Sequence, residues 1–326
     1  MGLNSWIKIY SFQIFICYNH SMKNFLLLTI TFILFSGCSS IHLIAKEAKN
    51  SKITILDQLS LRYDKKNNIS FSEISDIAYN KKSRELFMIG DKGYLYRFSA
   101  TFNKRIGKLK YINGFRLKKS NGKRKRFDSE GLTYNSKKEL LVSFERKPKI
   151  SKLSKKGVIL SDYRLPKKLR KKSAYRGKNK MFEALAFHPK YGILTVAEYP
   201  IKKHKKRDQT IYSLDGREWH FRTERYKNSA VTAIEVMDDG NILVLERAYS
   251  GLSNPLMITL KKVYIDRCNK RNRCKSEVLI SFNSFDGWGM ENFEGLAKVG
   301  KNRYVMVSDN SNKDFLPTTL VYFEVK

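Results

Sequence analysis

Hydrophobic and polar positions alternate along this chain in short runs separated by polar links, and the 27-residue stretch DSEGLTYNSKKELLVSFERKPKISKLS, Asp128–Ser154, shows the pattern most fully. An acid opens a short apolar segment, Glu130–Tyr134. A polar link follows, Asn135–Lys138, and a second apolar segment, Leu140–Phe144, ends in Glu145-Arg146. Two short β-rich segments around such a link predict an antiparallel hairpin, in which the start of the first strand lies beside the end of the second. Glu130 and Glu145 should therefore leave the hairpin at one rim.

The same pattern is written five times. Ser75-Asp76 opens the earliest copy and Asp91 closes it; Glu183 and Glu198 bound another; Thr232 opens a copy that ends in Glu246-Arg247; Glu294 opens the last, which ends in Asp309-Asn310. Opening and closing acids are 15 residues apart in 130/145, 183/198 and 294/309, and Glu130 to Glu183 is 53 residues. That period is blade-sized, and each hairpin is followed by enough further alternation for two more strands. Four antiparallel strands repeated radially predict an all-β fold, a β-propeller of five blades. A sixth, degenerate blade stays open, since Thr101–Leu117 or Lys261–Phe285 could hold more strands than assigned. Ile53–Tyr63 reads as a lone strand before the first copy, and Thr319–Val325 as the last strand of the last copy. Pairing the two closes the ring and removes two open sheet edges. Residues 53–326 are thus read as one propeller domain.

The first residues follow a different pattern. Met22-Lys23-Asn24 begins a secretory arrangement, with one positive charge before the apolar run Phe25–Phe35. The run is 11 residues, short of the roughly 20 that cross a bilayer. Phe35-Ser36-Gly37-Cys38 resembles the bacterial lipoprotein cleavage box, with Cys38 as the lipidated residue. The reading is a signal segment over 1–38 (1–21 being an upstream start), a tether over 39–52, and an exported protein anchored by lipid in a bacterial cell envelope. Cys268 and Cys274 bracket a hairpin-like tip; an oxidising compartment would allow a bridge, worth about 2 kcal/mol for so short a loop, and two free thiols are the alternative.

Charge adds the candidate chemistry. The formal net charge is +34. In a four-stranded blade the inner strand starts and the second strand ends on the same face, so the opening and closing acids should converge on one mouth of the central channel. The expected ring is Asp91, Glu130, Glu145, Glu183, Glu198, Glu246, Glu294 and Asp309, with Asn310 beside it. So many carboxylates repel unless cations or hydrogen-bond donors sit among them. Arg146 and Arg247 directly follow ring acids, and hard cations such as Ca²⁺ favour oxygen cages of this kind. Asp91, Glu130, Glu183 and Glu294 are the expected metal ligands; Glu145, Arg146, Glu246 and Arg247 the expected catalytic groups. A structural alternative lets each acid bind backbone amides between blades. The basic runs Arg116–Arg126, Arg164–Lys180 and Ile201–Arg207 are expected on the same face, where they suit an anionic ester or phosphate, or an anionic membrane. No RNP, KH or helix-turn-helix pattern supports nucleic acid. There is no G-x-S-x-G, P-loop, dinucleotide-binding or H-E-x-x-H motif.

Phe182-Glu183-Ala184-Leu185-Ala186, Ile242–Arg247 (ILVLER), Asn292–Ala297 (NFEGLA) and Val307-Ser308-Asp309-Asn310 together resemble the phytase-like propeller family, labelled "esterase-like activity of phytase". The resemblance spans roughly residues 70–325. It implies a propeller in a bacterial envelope with hydrolase activity on phosphate or carboxyl esters; it names no catalytic residue. The first copy departs from the pattern with Ser75-Asp76, the fourth with Thr232. The expectation is a lipid-anchored, monomeric, metal-assisted phosphoester or ester hydrolase acting at an acidic mouth. The competing class is a non-catalytic envelope scaffold that docks an anionic membrane or a protein partner.

Overall fold

A computed structural model describes residues 51–123, 127–178, 180–251, 253–286, 291–311 and 317–326. The signal segment, Cys38, nearly all of the 39–52 tether and the Arg124–Arg126 end of one basic run lie outside them. Strand β1 (Ile53–Leu61) comes first. Blade 1 follows as β2 (Ile74–Asn80), β3 (Glu85–Gly90), β4 (Tyr94–Phe102) and β5 (Ile106–Arg116). A two-residue strand β6 (Lys118–Lys119) precedes blade 2, made of β7 (Ser129–Tyr134), β8 (Leu140–Phe144), β9 (Lys149–Leu153) and β10 (Val158–Asp162). After a one-turn helix α1 (Lys167–Arg170), blade 3 is β11 (Phe182–His188), β12 (Gly192–Ala197), β13 (Asp208–Ser213) and β14 (Glu218–Arg222). Blade 4 is β15 (Ser229–Val236), β16 (Ile242–Ala248), β17 (Met257–Cys268) and β18 (Cys274–Asn283); blade 5 is β19 (Asn292–Gly300), β20 (Arg303–Asp309) and β21 (Thr318–Val325).

Blade 5 takes its fourth strand from the start of the chain. Its order is β1-β21-β20-β19, with Ile53 opposite Val325 and Leu61 opposite Thr318. The inner strands touch in the closed order β2, β7, β11, β15, β19 and back to β2. Five blades therefore complete the circle, and the two regions that could have hidden a sixth are the β4–β5 and β17–β18 hairpins. β1 enters at the face carrying the hairpin turns, opposite the acidic mouth.

The apolar faces pack blade against blade rather than around one centre. Five buried clusters occupy the five blade junctions; Leu243, Leu245 and Leu260 of blade 4, for example, meet Tyr304, Met306 and Phe323 of blade 5. Second strands are therefore apolar on both faces, as in Leu86–Ile89 and Ile242–Leu245, all fully buried. This is why those segments read as continuous apolar runs.

The Arg116–Arg126 run is placed differently from the sequence expectation. Lys118 and Lys119 pair in parallel with Val158 and Ile159, so this part of the run is the outer edge of blade 2 and not a loop over the mouth. A charged edge strand of two residues caps a sheet that would otherwise end in open hydrogen-bonding groups. Cys268 and Cys274 face each other where β17 turns into β18 and are joined by a disulfide.

Candidate functional site

Each inner strand carries a bulge at its mouth end. The register shifts at Ser75, across Glu130-Gly131, and at Glu183, Thr232 and Glu294. A bulged residue is left out of the ladder and its side chain is re-aimed. Here those side chains open the channel. In blades 2 and 5 the position one step deeper has no room for a side chain: a Cβ on Gly131 would lie 2.7 Å from the Leu185 Cβ, and one on Gly295 2.8 Å from the Asp76 Cα.

Asp76 occupies that deeper position in blade 1 and is 2 % exposed. Its carboxylate accepts the amides of Ile77 (2.8 Å), Leu132 in blade 2 (2.7 Å) and Leu296 in blade 5 (3.1 Å). Burial raises it well above the usual carboxylate range, against the pull of those three amides. It ties blade 1 to both neighbours. The opening position itself is Ser75, so the ring has no opening acid in this blade. Glu235 makes a similar tie, accepting the Lys298 amide across blades 4 and 5 at 2.9 Å.

The closing positions each follow the residue paired beside a bulge: Asp91 after Gly90, Glu145 after Phe144, Glu198 after Ala197, Arg247 after Glu246 and Asp309 after Ser308. Neighbouring strand residues point to opposite faces, and in β16 it is Arg247 that reaches the mouth. Its Nη1 donates to Glu294 Oε1 and Asn292 Oδ1, both at 2.7 Å, and its Nη2 lies 3.5 Å from Glu198 Oε1. Glu246 turns the other way, into blade 4. It lies 3.0 Å from Lys261 Nζ and accepts the Glu224 amide at 2.8 Å and the Ser229 hydroxyl at 3.2 Å. Lys261, itself 1 % exposed, also holds the Glu224 carboxylate (2.7 Å) and the Arg222 carbonyl (2.8 Å). Glu246 is thus not a member of the ring or a group facing substrate, as the sequence suggested, but an internal tie. Fifteen residues from Thr232 is Arg247, so the shared spacing already pointed to the cation.

Seven of the eight expected acids do meet at the mouth, and five of them fall into two groups. Oxygens of Asp91, Asp128 and Glu130 lie within 4.8 Å of one another, as do those of Glu145, Glu183 and Glu198. Glu294 and Asp309 sit between them, bridged through Asn292, whose Nδ2 donates to Glu294 at 2.7 Å and to Asp309 at 3.5 Å. The expected four-ligand set is therefore split, with Asp91 and Glu130 in one group, Glu183 in the other and Glu294 in neither. Asn310 accepts the Glu73 amide at 3.0 Å. Arg146 faces Asp128 with an ion pair of 2.6 Å, Lys180 faces Glu198 at 2.6 Å, and Lys92 faces Glu73 at 2.6 Å.

Crowding makes these carboxyls weaker acids and raises their pKa. Burial, then the charge on Asp91, pushes Glu130 well up; burial, then the charge on Glu130, does the same to Glu183. Burial and its hydrogen bond with Asp128 raise Asp91 to about 7. Burial and the charge on Glu198 raise Glu145 to about 8. Burial raises Glu294 to about 7 although Arg247 pulls it down. Glu130 is 9 % exposed and crowded by the charges of Asp91, Glu294 and Glu145, and these oxygens are donors of the kind a hard cation takes.

Asp128, Glu73 and Asn292 were not foreseen at the mouth, and Lys180 only as the end of a basic run expected on this face. Asp128 and Asn292 each stand two residues before an opening acid, and that spacing was a usable sign; Glu73 lies outside the repeated hairpin. Two surface recesses, ≈ 340 Å³ beside Tyr191 and Trp219 and ≈ 560 Å³ beside Phe187 and Tyr191, lie toward the turn face and away from the acids.

The chain is a five-bladed propeller with a carboxylate-lined mouth. It belongs to the Phytase-like family, described as "Esterase-like activity of phytase", whose model matches residues 69–312. No curated protein matches it. Among solved structures it is similar to the Pan2 WD40 domain of Neurospora crassa (10% identity, 84% of this chain and 95% of that one, TM-score 0.35). It is also similar to the PQQ-bound aldose sugar dehydrogenase of Streptomyces coelicolor (8%, 84% and 98%, 0.37) and to virginiamycin B lyase of Staphylococcus aureus (8%, 84% and 100%, 0.38). Likeness at this level carries no functional argument.

Proposed function

We propose that this protein hydrolyses phosphoesters or carboxylic esters at the propeller mouth with the help of a divalent cation, Ca²⁺ by the all-oxygen character of the donors. The observation that carries the reading is the pair of carboxylate groups at the mouth, Asp91/Asp128/Glu130, which is partly buried, and Glu145/Glu183/Glu198, in which Glu145 and Glu198 are buried, the oxygens of each group lying within 4.8 Å of one another. These residues would hold the cation, which supplies Lewis-acid polarisation of the ester and a more acidic bound water. Lys180, Arg146 and Arg247 stand among them and would orient an anionic substrate. Glu145, held to about 8, keeps a proton near neutrality and can give it to the departing alcohol oxygen, while an ionised neighbour takes one from water. The reading also places the chain outside the cell, tethered through Cys38 in the envelope.

A non-catalytic scaffold is the second reading, favoured by Asp76, Glu235 and Glu246, which bind amides or lysine rather than face solvent. Turnover separates the two. Residues 40–326, which contain the whole ring, should cleave phosphomonoesters or short acyl esters with Ca²⁺ and lose activity with chelator. Glu183→Gln should lower kcat by roughly a hundredfold or more. No turnover on either ester class in the unmutated protein would leave the scaffold.

A further inference from the structure

Among the described residues, three of the six large exposed apolar side chains stand on the mouth face: Tyr226 (40 % exposed), Tyr249 (43 %) and Phe285 (63 %). Each belongs to a loop that leaves or enters a blade at that face, between β14 and β15, between β16 and β17, and between β18 and β19. Hydrogen bonds join these loops into one rim. Asn228 Nδ2 donates to the Tyr249 carbonyl at 3.2 Å, and Tyr199 donates its hydroxyl to the Asn228 carbonyl at 3.4 Å. Ser284 and Leu256 exchange two further bonds, the Ser284 amide to the Leu256 carbonyl (3.1 Å) and the Leu256 amide to Ser284 Oγ (2.9 Å). The rim is positively charged. Arg225 and Lys227 flank Tyr226 and are both exposed, and the loop after β12 exposes Lys202, Lys203, Lys205 and Lys206. Against these stand Asp286, exposed beside Phe285, and Glu224, which Lys261 already holds at 2.7 Å.

Singly exposed apolar residues need no explanation, but aromatic side chains gathered on one charged rim do. Aromatic rings lodge at the level of lipid headgroups, and lysine and arginine beside them draw in anionic headgroups. A soluble polyanion would use the lysines but gives the phenylalanine no apolar phase to enter. We propose that the mouth face docks on an anionic lipid bilayer through Tyr226, Tyr249 and Phe285, with Arg225, Lys227 and the Lys202–Lys206 loop holding the headgroups. The acid-lined channel then opens onto the lipid surface. This docking stands apart from the hydrolase reading, since it uses none of the mouth carboxylates.

Residues 40–326 form one compact unit containing all five blades and the closing strand, so they can be tested without the apolar leader. They should co-sediment with vesicles of about 30 mol % phosphatidylglycerol in phosphatidylcholine, should not do so with phosphatidylcholine alone, and should release as salt rises toward roughly 0.5 M. Tyr226→Ser, Tyr249→Ser and Phe285→Ser together should weaken binding roughly tenfold or more with unchanged thermal unfolding. Arg225→Gln with Lys227→Gln should weaken it and flatten the salt dependence. The proposal fails if the triple variant binds as well as the unmutated protein, or if the protein ignores anionic vesicles while binding long-chain polyphosphate.

Discussion

At the scale of single residues, Glu183 and Glu130 are the two ring acids raised well above their ordinary range, and Glu183 is the one crowded by both carboxylate groups. Its neighbours are Glu130, Glu198, Glu294 and Glu145, and burial with their charges holds it well above its ordinary range. The sign of the pH effect follows. A carboxylate raised in the folded state binds its proton more tightly there than in the unfolded chain, so its contribution to stability is complete at low pH. That contribution is lost as pH rises through the folded value. For Asp91 and Glu294, raised to about 7, and Glu145, raised to about 8, the window lies between mildly acid and mildly alkaline solution. Without added cation the melting temperature should fall between about pH 5.5 and about pH 8.5. Glu183→Gln should flatten that fall and stabilise the alkaline form by roughly 1 kcal/mol or more. Thermal unfolding across this range checks it, and equal slopes for the two proteins would contradict the like-charge account. The acids themselves were legible because the 15-residue spacing repeats. Glu246 misled because glutamate and arginine are adjacent in β16, and only the register, with Ala230 opposite Arg247 and Val231 opposite Glu246, says which faces the channel.

Among the elements, β1 does most for closure. It covers the outer edge of β21 over nearly its full length, and its Ile53 joins the cluster between blades 4 and 5, with Leu61 in the one between blades 5 and 1. Deleting Ser51–Tyr63 should lower the melting temperature of the whole domain and remove its cooperativity, rather than loosen one edge. Unchanged unfolding would show that the ring closes without it. This pairing could be inferred because one apolar strand, Ile53–Tyr63, stood alone before the repeated pattern while the last copy ended on Thr319–Val325. The bulges and β6 could not. A bulge depends on which neighbouring backbone crowds the channel, as Leu185 does at Gly131 and Asp76 at Gly295. Lys118 and Lys119 owe their strand to β10 of the next blade, while their own sequence reads only as a basic loop.

For the whole molecule, the arrangement is an acidic centre in a cationic protein. Arg247 answers Glu294 and Glu198, Lys180 answers Glu198, and Arg146 answers Asp128. Glu130 and Glu183 make no ion pair among the described residues, and Glu183 shares the charges of Arg247 and Lys180 with Glu198. The ring is therefore short of positive charge even though the chain carries +34. A divalent cation would supply it, at the cost of releasing the protons that burial keeps on these groups.

Calorimetric titration of residues 40–326 with Ca²⁺ tests this most directly, run at about pH 8.5 and about pH 5.5 in buffers of different ionisation heat. The account predicts saturable binding at the higher pH, proton release on binding, and loss of binding at the lower pH and in Glu130→Gln with Glu183→Gln. Heats of dilution alone at about pH 8.5, or binding that survives the double substitution, would contradict it.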